Sequence, residues 1–241
     1  MHCSGEVWYL PPEARVGGDP KTRRHVLLTP CDEEDDVGVF AYASRAGTEA
    51  AFGGAAFFFN RSARRALHAG FDAPTYVMPC RLVAAGSEDL IRKTGRIVDE
   101  MREIRRALHR ALGIGTRTRR GGPAAGSLRG CLVELAPPVA DEIGTRAALL
   151  VTEPGYSLQR RYQLVLPLLD PDEYEPSPGD VLVEEKPWIS AVEEDMRRVL
   201  VAVPMIQAAF HPTDLARVVP AVVDDATIAA VDRALLALFG L

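Results

Sequence analysis

The 241-residue sequence has few aromatic residues (7%), only four cysteines and no long apolar run. Its apolar stretches, such as VLVAVPMIQAAF (199–210), fall well short of the roughly 18 to 20 residues that a membrane-spanning helix needs. The first ten residues, MHCSGEVWYL, show no basic segment followed by a long apolar stretch, so no secretory signal is visible. Cys3, Cys31, Cys80 and Cys131 are separated by gaps of 28, 49 and 51 residues, and no pair has CxxC or metal-ligand spacing. Free thiols in a reducing cytoplasm are the expectation. The sequence has no Gly-rich phosphate loop, serine elbow or zinc signature, and His2, His68, His109 and His211 are scattered. Neither a metal nor an organic cofactor is implied.

Hydrophobic residues make up 47% and charged residues 25%, enough apolar material for a core and too much for a chain disordered throughout. The length suits two domains of about 110 to 120 residues. The net charge of −5 argues against broad nucleic-acid binding, but it is unevenly spread. Residues 1–120 carry 19 Lys+Arg against 15 Asp+Glu, a net +4; residues 121–241 carry 9 against 18, a net −9. A polyanion would find its better host in the first half.

An internal repeat organises the chain. At an offset of 125, Pro79, Asp89, Leu90, Arg92, Val98 and Asp99 map onto Pro204, Asp214, Leu215, Arg217, Val223 and Asp224. RALHRALGI (106–114) then aligns with RALLALFGL (233–241), GEVWYLPP (5–12) with GCLVELAPP (130–138), and RHVLLTP (24–30) with RAALLVT (146–152). The blocks keep the same order in both halves, which points to a tandem duplication.

Each half reads as short strands followed by a helix. EVWYL, HVLLT, VGVFAYAS, AAFFF and TYVMPCRLV, and in the second half CLVELAP, AALLVTE, YQLVLPLL, DVLVEE and RVLVAVPM, are β-branched or aromatic runs bounded by turn residues. Residues 99–114 place Met101, Ile104, Ala107, Leu108, Ala111 and Leu112 at helical spacing, with Gly113 and Gly115 as stops. Residues 225–239 form the second helix, capped by Asp224 or Asp225. Between the halves, GTRTRRGGPAAGS (115–127) reads as a linker and DEEDD (32–36) as an exposed turn.

GEVWYLPP, a Gly-rich loop and RRHVLLTPCD together resemble the opening of MazF/PemK-family toxins, where a "GDVWLVDL"-type strand leads into an "RRPVLVVS"-type strand. Residues 76–114 resemble that family's closing segment, a strand, a "GRLSDE"-type turn and a helix ending in "ALGL", and the second half repeats the outline. The resemblance implies a mainly β fold with α: two SH3-like small barrels, each closed by a C-terminal helix, packed as an intrachain pseudo-dimer. The implied domains are residues 1–115 and 129–241, with 116–128 as linker. It further implies metal-free, single-strand-specific endoribonuclease chemistry by ribose 2′-OH attack, a protein antitoxin as partner, and a monomeric pseudo-dimer or a further homodimer.

The family's arginine at the start of the second strand corresponds to Arg24, with Arg23 beside it. An arginine suits a scissile phosphate because its planar fork pairs two oxygens at once. The hydroxyl at the end of the third strand corresponds to Ser44, with Thr48 as the fallback, and His25 is a candidate acid or base. Lys21, Arg23, Arg61, Arg64 and Arg65 are candidate RNA contacts, as are Arg146 (aligned with Arg24), Arg160 and Arg161 in the second half. Phe57, Phe58 and Phe59 offer a stacking face if they are not core. The second half lacks a hydroxyl after YQLVLPLL, which implies a degenerate site and an active centre confined to the first half. A different reading also fits the acidic balance: a catalytically inactive SH3-like double barrel that binds peptide or RNA as a regulatory module.

Overall fold

A computed structural model describes residues 3–11, 23–29, 37–45, 56–59, 67–114, 128–152, 162–210 and 213–241. The chain divides into two compact units, residues 1–112 and 113–241. The segments read as linker (115–127) and acidic turn (32–36) lie outside the described residues.

Unit 1 holds β1 (Glu6–Leu10), β2 (Arg23–Leu27), β3 (Val37–Ser44), β4 (Phe57–Phe59), β5 (Thr75–Gly86), β6 (Arg92–Arg96) and α1 (Met101–Leu112). The strands form one antiparallel sheet in the order β4-β5-β3-β2-β1-β6. Six consecutive residues of β3, Gly38–Ala43, are buried, so both faces of the central strand are covered and its apolar run is unbroken. Leu10, Leu27, Phe40, Val83 and Ala85 form a core cluster, with Trp8 and Leu90 packed against it. Between β3 and β5, Ala41 pairs with Leu82 but Tyr42 with Met78, so three extra residues of β5 bulge out. Pro79 lies in that bulge, where its missing N–H costs no strand pairing. The α1 residues expected at helical spacing are all buried, and α1 packs on β5 and β4.

Unit 2 holds β7 (Cys131–Leu135), α2 (Pro137–Ile143), β8 (Ala147–Leu150), β9 (Tyr162–Leu169), β10 (Val181–Glu184), β11 (Arg198–Val201), β12 (Gln207–Phe210), β13 (Leu215–Val222) and α3 (Asp225–Phe239). The order is β10-β11-β9-β8-β7-β13, with β12 also on β9. A 3-10 turn, Val203–Met205, separates β11 from β12. Taken together, β11, the turn and β12 occupy the place of β5. Leu168 pairs with Val201 and Val165 with Gln207, as Ala43 pairs with Val77 and Phe40 with Val83, so the same number of extra residues bulges at the same point. Helix α3 packs on β10 and on the 3-10 turn. Asp224 caps it, accepting from the Thr227 amide at 3.0 Å. Arg129, fully buried, forms an ion pair with Asp232 that ties the entry to β7 to α3.

Hydrogen bonds set the correspondence between the units. The Gly5 amide donates to Leu27 O and the Gly130 amide to Leu150 O; Ile97 N donates to Gly5 O and Val223 N to Gly130 O. Thr29 Oγ1 accepts from Val39 N, and Thr152 Oγ1 from Leu164 N. Gly5 has φ +90°, and a Cβ there would stand 2.1 Å from Ile97 O, so the position demands glycine; Gly130 has φ +83°. These bonds place Leu27 with Leu150 and Thr29 with Thr152. The alignment of Arg24 with Arg146 is therefore one residue out: Arg146 stands at the place of Arg23, and Ala147 at the place of Arg24. The strand pairs agree, since Tyr9 faces Arg24 and Glu134 faces Ala147. A one-residue slip moves a side chain to the other face, so the difference matters for function.

Among the described residues, three strands and a helix were not expected from the sequence. β6 reads RKTGR, too polar for a strand signal, and lies at a sheet edge. β12 and β13 are the others, and α2 is a short helix opened by two prolines. Among the described residues no helix is long and apolar enough to cross a membrane.

Candidate functional site

β1 and β3 end, and β2 and β5 begin, at one rim of the unit 1 sheet. Tyr9, Arg23, Arg24, Ala43, Ser44, Arg45 and Thr75 line an open cavity of about 290 Å³ there. Residues paired across antiparallel strands share a face, so Tyr9, Arg24 and Ala43 stand on one face. The Arg24 guanidinium lies over the Tyr9 ring, 5.2 Å from its centre, and Arg92 approaches the same ring at 5.4 Å. Arg24 Nη1 donates to Asp72 Oδ1 at 3.1 Å, and Arg45 Nη2 donates to the same oxygen at 2.8 Å. The Arg24 side chain is only 19% exposed, and its buried Nε has no hydrogen-bond partner among the described residues. Hydrogen bonds from the Arg45 guanidinium, from its own amide and from Arg24 hold the Asp72 carboxyl below the usual carboxylate range.

Ser44 pairs with Tyr76, which pairs with Phe58, so Ser44 stands on the other face from Arg24. It reaches the same cavity because the cavity opens at the strand ends. Phe58 is exposed and packs on Tyr76, ring centres 4.6 Å apart, while Phe59 is buried against Phe71. The three phenylalanines thus divide between surface and core. Thr75 is buried, its hydroxyl donating to Ala73 O at 2.9 Å.

His25 does not join this group. It shares its face with Trp8 and Tyr42, is 1% exposed, and its ring meets Tyr42 edge-on at 5.3 Å. Its Nδ1 lies 3.1 Å from Arg23 O. Alternation along β2 separates it from Arg24, and the cavity lining does not include it. Arg23, Arg24 and Ser44 are therefore brought together, whereas His25 is buried in packing. Lys21, Thr48, Arg61, Arg64, Arg65, Arg160 and Arg161 lie outside the described residues. Tyr9, Arg45, Asp72, Thr75 and Arg92 escaped the sequence reading because they come from four separate segments; only the neighbour positions of Arg24 and Ser44 carried any signal.

The same rim of unit 2 has other chemistry. Glu134 replaces Tyr9 and pairs with Arg217, the counterpart of Arg92. Ala147 replaces Arg24, Leu169 replaces Ser44 and Asp170 replaces Arg45. Leu169 is buried with Leu200 and Ala202. The cavity beside that rim, about 360 Å³, is lined by Asp170, Asp172, Glu193 and Asp195, with Arg197 and Arg198 on the β11 side. Arg198 is paired with Asp172. Arg146 is exposed and belongs to neither cavity lining. Among the described residues no cluster of three or more His, Cys, Asp or Glu side chains is arranged to hold a metal ion.

No protein-family model matches the chain, and no curated protein does. Among solved structures, it is similar to the Mycobacterium tuberculosis toxin MazF-mt6 at 13% identity and a TM-score of 0.34, over 43% of this chain and 92% of that one. An endoribonuclease in complex with its cognate antitoxin, from a mycobacterial species, matches at 14% identity and a TM-score of 0.36, over 48% of this chain and 100% of the other. A further mycobacterial endoribonuclease matches at 16% identity and a TM-score of 0.34, over 48% and 93%.

Proposed function

We propose that unit 1 is a metal-independent endoribonuclease of the MazF/PemK kind, and that unit 2 is a duplicated copy whose rim has lost the reactive groups. The observation that carries this reading is the rim cavity of unit 1, where three arginines, an aromatic ring and a hydroxyl converge. A single-stranded RNA presents a phosphodiester and an unstacked base within a few ångströms of each other, and such a lining meets both. Arg24, held over Tyr9 and mostly buried, pairs with the non-bridging oxygens and stabilises the charge that grows on them. Arg45 joins Arg24 on the same phosphodiester, Arg23 holds the flanking backbone, and Ser44 orients the 2′-hydroxyl.

In the reaction, the 2′-oxygen attacks the adjacent phosphorus as its proton passes to solvent water, which supplies one to the leaving 5′-oxygen. The bond to the 5′-oxygen breaks, that oxygen gains a proton, and a 2′,3′-cyclic phosphate and a 5′-hydroxyl end result. Buried His25 is not assigned to either proton transfer. In this reading the two sheets are SH3-like barrels arising by tandem duplication in a cytoplasmic protein, and a protein antitoxin with an acidic segment covers the basic rim. The corresponding strand order, with β11 and β12 together in the place of β5, the shared Gly5/Gly130 and Thr29/Thr152 hydrogen bonds and the matching bulge support the duplication.

The test is incubation of the protein with single-stranded RNA in EDTA. Cleavage is expected, with cyclic-phosphate ends, and replacement of the 2′-hydroxyl at the cut site by hydrogen abolishes it. Intact RNA across varied sequences favours the other reading, a non-catalytic double barrel that binds RNA or peptide; the acidic unit 2 rim fits that second reading.

A further inference from the structure

Two guanidinium groups from different strand ends meet on a single oxygen, Asp72 Oδ1, with donor distances of 3.1 and 2.8 Å. Convergence of two cationic donors on one oxygen is how proteins hold an oxyanion. The two cations differ in freedom. Arg24 is 19% exposed and stacked on Tyr9, whereas Arg45 is 64% exposed. The Asp72 side chain is 62% exposed, so rotating it into water costs little desolvation, while Arg24 left alone would be a largely buried, uncompensated charge. The backbone around Asp72 is fixed. Gly70 has φ +75°, with the Thr94 carbonyl 2.4 Å from where a Cβ would be; Phe71 is buried against Phe59; and Ala73 O accepts from Thr75. A change of the Asp72 rotamer alone therefore empties the position between the two arginines.

We infer that Arg24 and Arg45 form an oxyanion seat that Asp72 fills and that a phosphodiester oxygen of single-stranded RNA takes over. Asp72 is thus a competing anion built into the site. The identity of the incoming ligand rests on the endoribonuclease reading; the seat itself does not. The carboxylate keeps the two cations aligned and screens them from stray anions, and the polyanion displaces it because it offers several phosphates at once. In unit 2, Ala147 and Asp170 stand where the two arginines would be.

The experiment titrates the full chain with inorganic pyrophosphate and, separately, with a single-stranded RNA whose 2′-hydroxyls are replaced by hydrogen. Wild type, Asp72→Asn, Arg45→Ala and the charge control Glu103→Gln are compared by calorimetry, with circular dichroism checking the fold. Removing an exposed competing carboxylate is expected to tighten both ligands by about threefold to fivefold, the range an exposed ion pair supports. Arg45→Ala should weaken both, and Glu103→Gln, on the exposed face of α1, should match wild type. Asp72→Asn binding no tighter than wild type, or no tighter than Glu103→Gln, overturns the seat. So does loss of RNA cleavage in Asp72→Asn with unchanged affinity, which would make Asp72 a proton acceptor. Tighter pyrophosphate with no RNA bound by any variant leaves the seat standing and removes the endoribonuclease reading.

Discussion

Where β1 of unit 1 carries Tyr9, β7 of unit 2 carries Glu134; where β2 carries Arg24, β8 carries Ala147; and Ser44 and Arg45 at the end of β3 become Leu169 and Asp170 at the end of β9. Around these positions the two units share several scaffold features. The strand order, the threonine that receives the amide of the next strand, and the glycine bonded to two neighbouring strands correspond. The lesson is that the residues fixing backbone direction and the residues lining the rim are separable. A sheet of this kind holds its shape whether its rim is basic and aromatic or acidic and apolar. Unit 2 instead has an arginine inside: Arg129, fully buried and paired with Asp232, stands one residue before Gly130, where unit 1 has Ser4 bonded to Leu28 O.

That difference predicts where each unit is vulnerable. The largest effect is expected at Asp232→Ala, which leaves Arg129 buried without that partner and costs about 3 to 5 kcal/mol, read as an earlier urea midpoint for unit 2. A wild-type midpoint would mean that the ion pair is dispensable and unit 2 is held by its apolar core alone. Next, Arg24→Ala should slow RNA cleavage on the order of 100-fold with little change in melting temperature. Loss of fold instead of loss of rate would move Arg24 from the site to the scaffold.

A smaller effect is expected at the α3 cap. Burial pulls the Asp224 carboxyl upward, but the Thr227 amide, the Trp188 indole, the Thr227 hydroxyl and Lys186 outweigh it and bring its pKa down to about 2. A carboxyl depressed on folding stabilises above its unfolded pKa and ceases to do so as pH falls. Unit 2 should therefore lose this contribution between about pH 4 and pH 2. Asp224→Ala should cost about 1 kcal/mol at neutral pH and flatten that acid limb, followed through Trp188 fluorescence because the indole donates to Asp224. An unchanged acid limb would assign the acid sensitivity elsewhere. Smallest of all, Arg146→Ala should alter cleavage by less than about twofold, since it is an exposed charge that lines neither cavity. A large loss would give unit 2 a share in catalysis.

Much of this architecture was legible in the chain. β-branched and aromatic runs marked ten strands, and helical spacing marked α1 and α3, because burial on one face leaves a period in the sequence. β6 was not legible: an edge strand needs no apolar face, and RKTGR has none. The register of β8 was misread because an arginine opens both segments, while the deciding group is a threonine whose role depends on the next strand's amide. At the candidate site, resemblance singled out Arg24 and Ser44, which the fold brings to one cavity. Asp72 and Tyr9 were not singled out, since an exposed aspartate in a bend and a tyrosine in a strand are ordinary until the fold brings both to one guanidinium. His25, attractive beside Arg24 in sequence, is buried and does not line the cavity.

We propose that the unit 1 rim, and not its unit 2 counterpart, receives RNA. Amide hydrogen exchange with and without a single-stranded, 2′-deoxy-substituted oligonucleotide tests it most directly. Slowed exchange is predicted in peptides covering Arg23–Arg24, Ala43–Arg45 and Asp72–Thr75, with no change at Arg146–Ala147 or Leu168–Asp170. Protection confined to the unit 2 segments, or absent from both rims at saturating oligonucleotide, would contradict it.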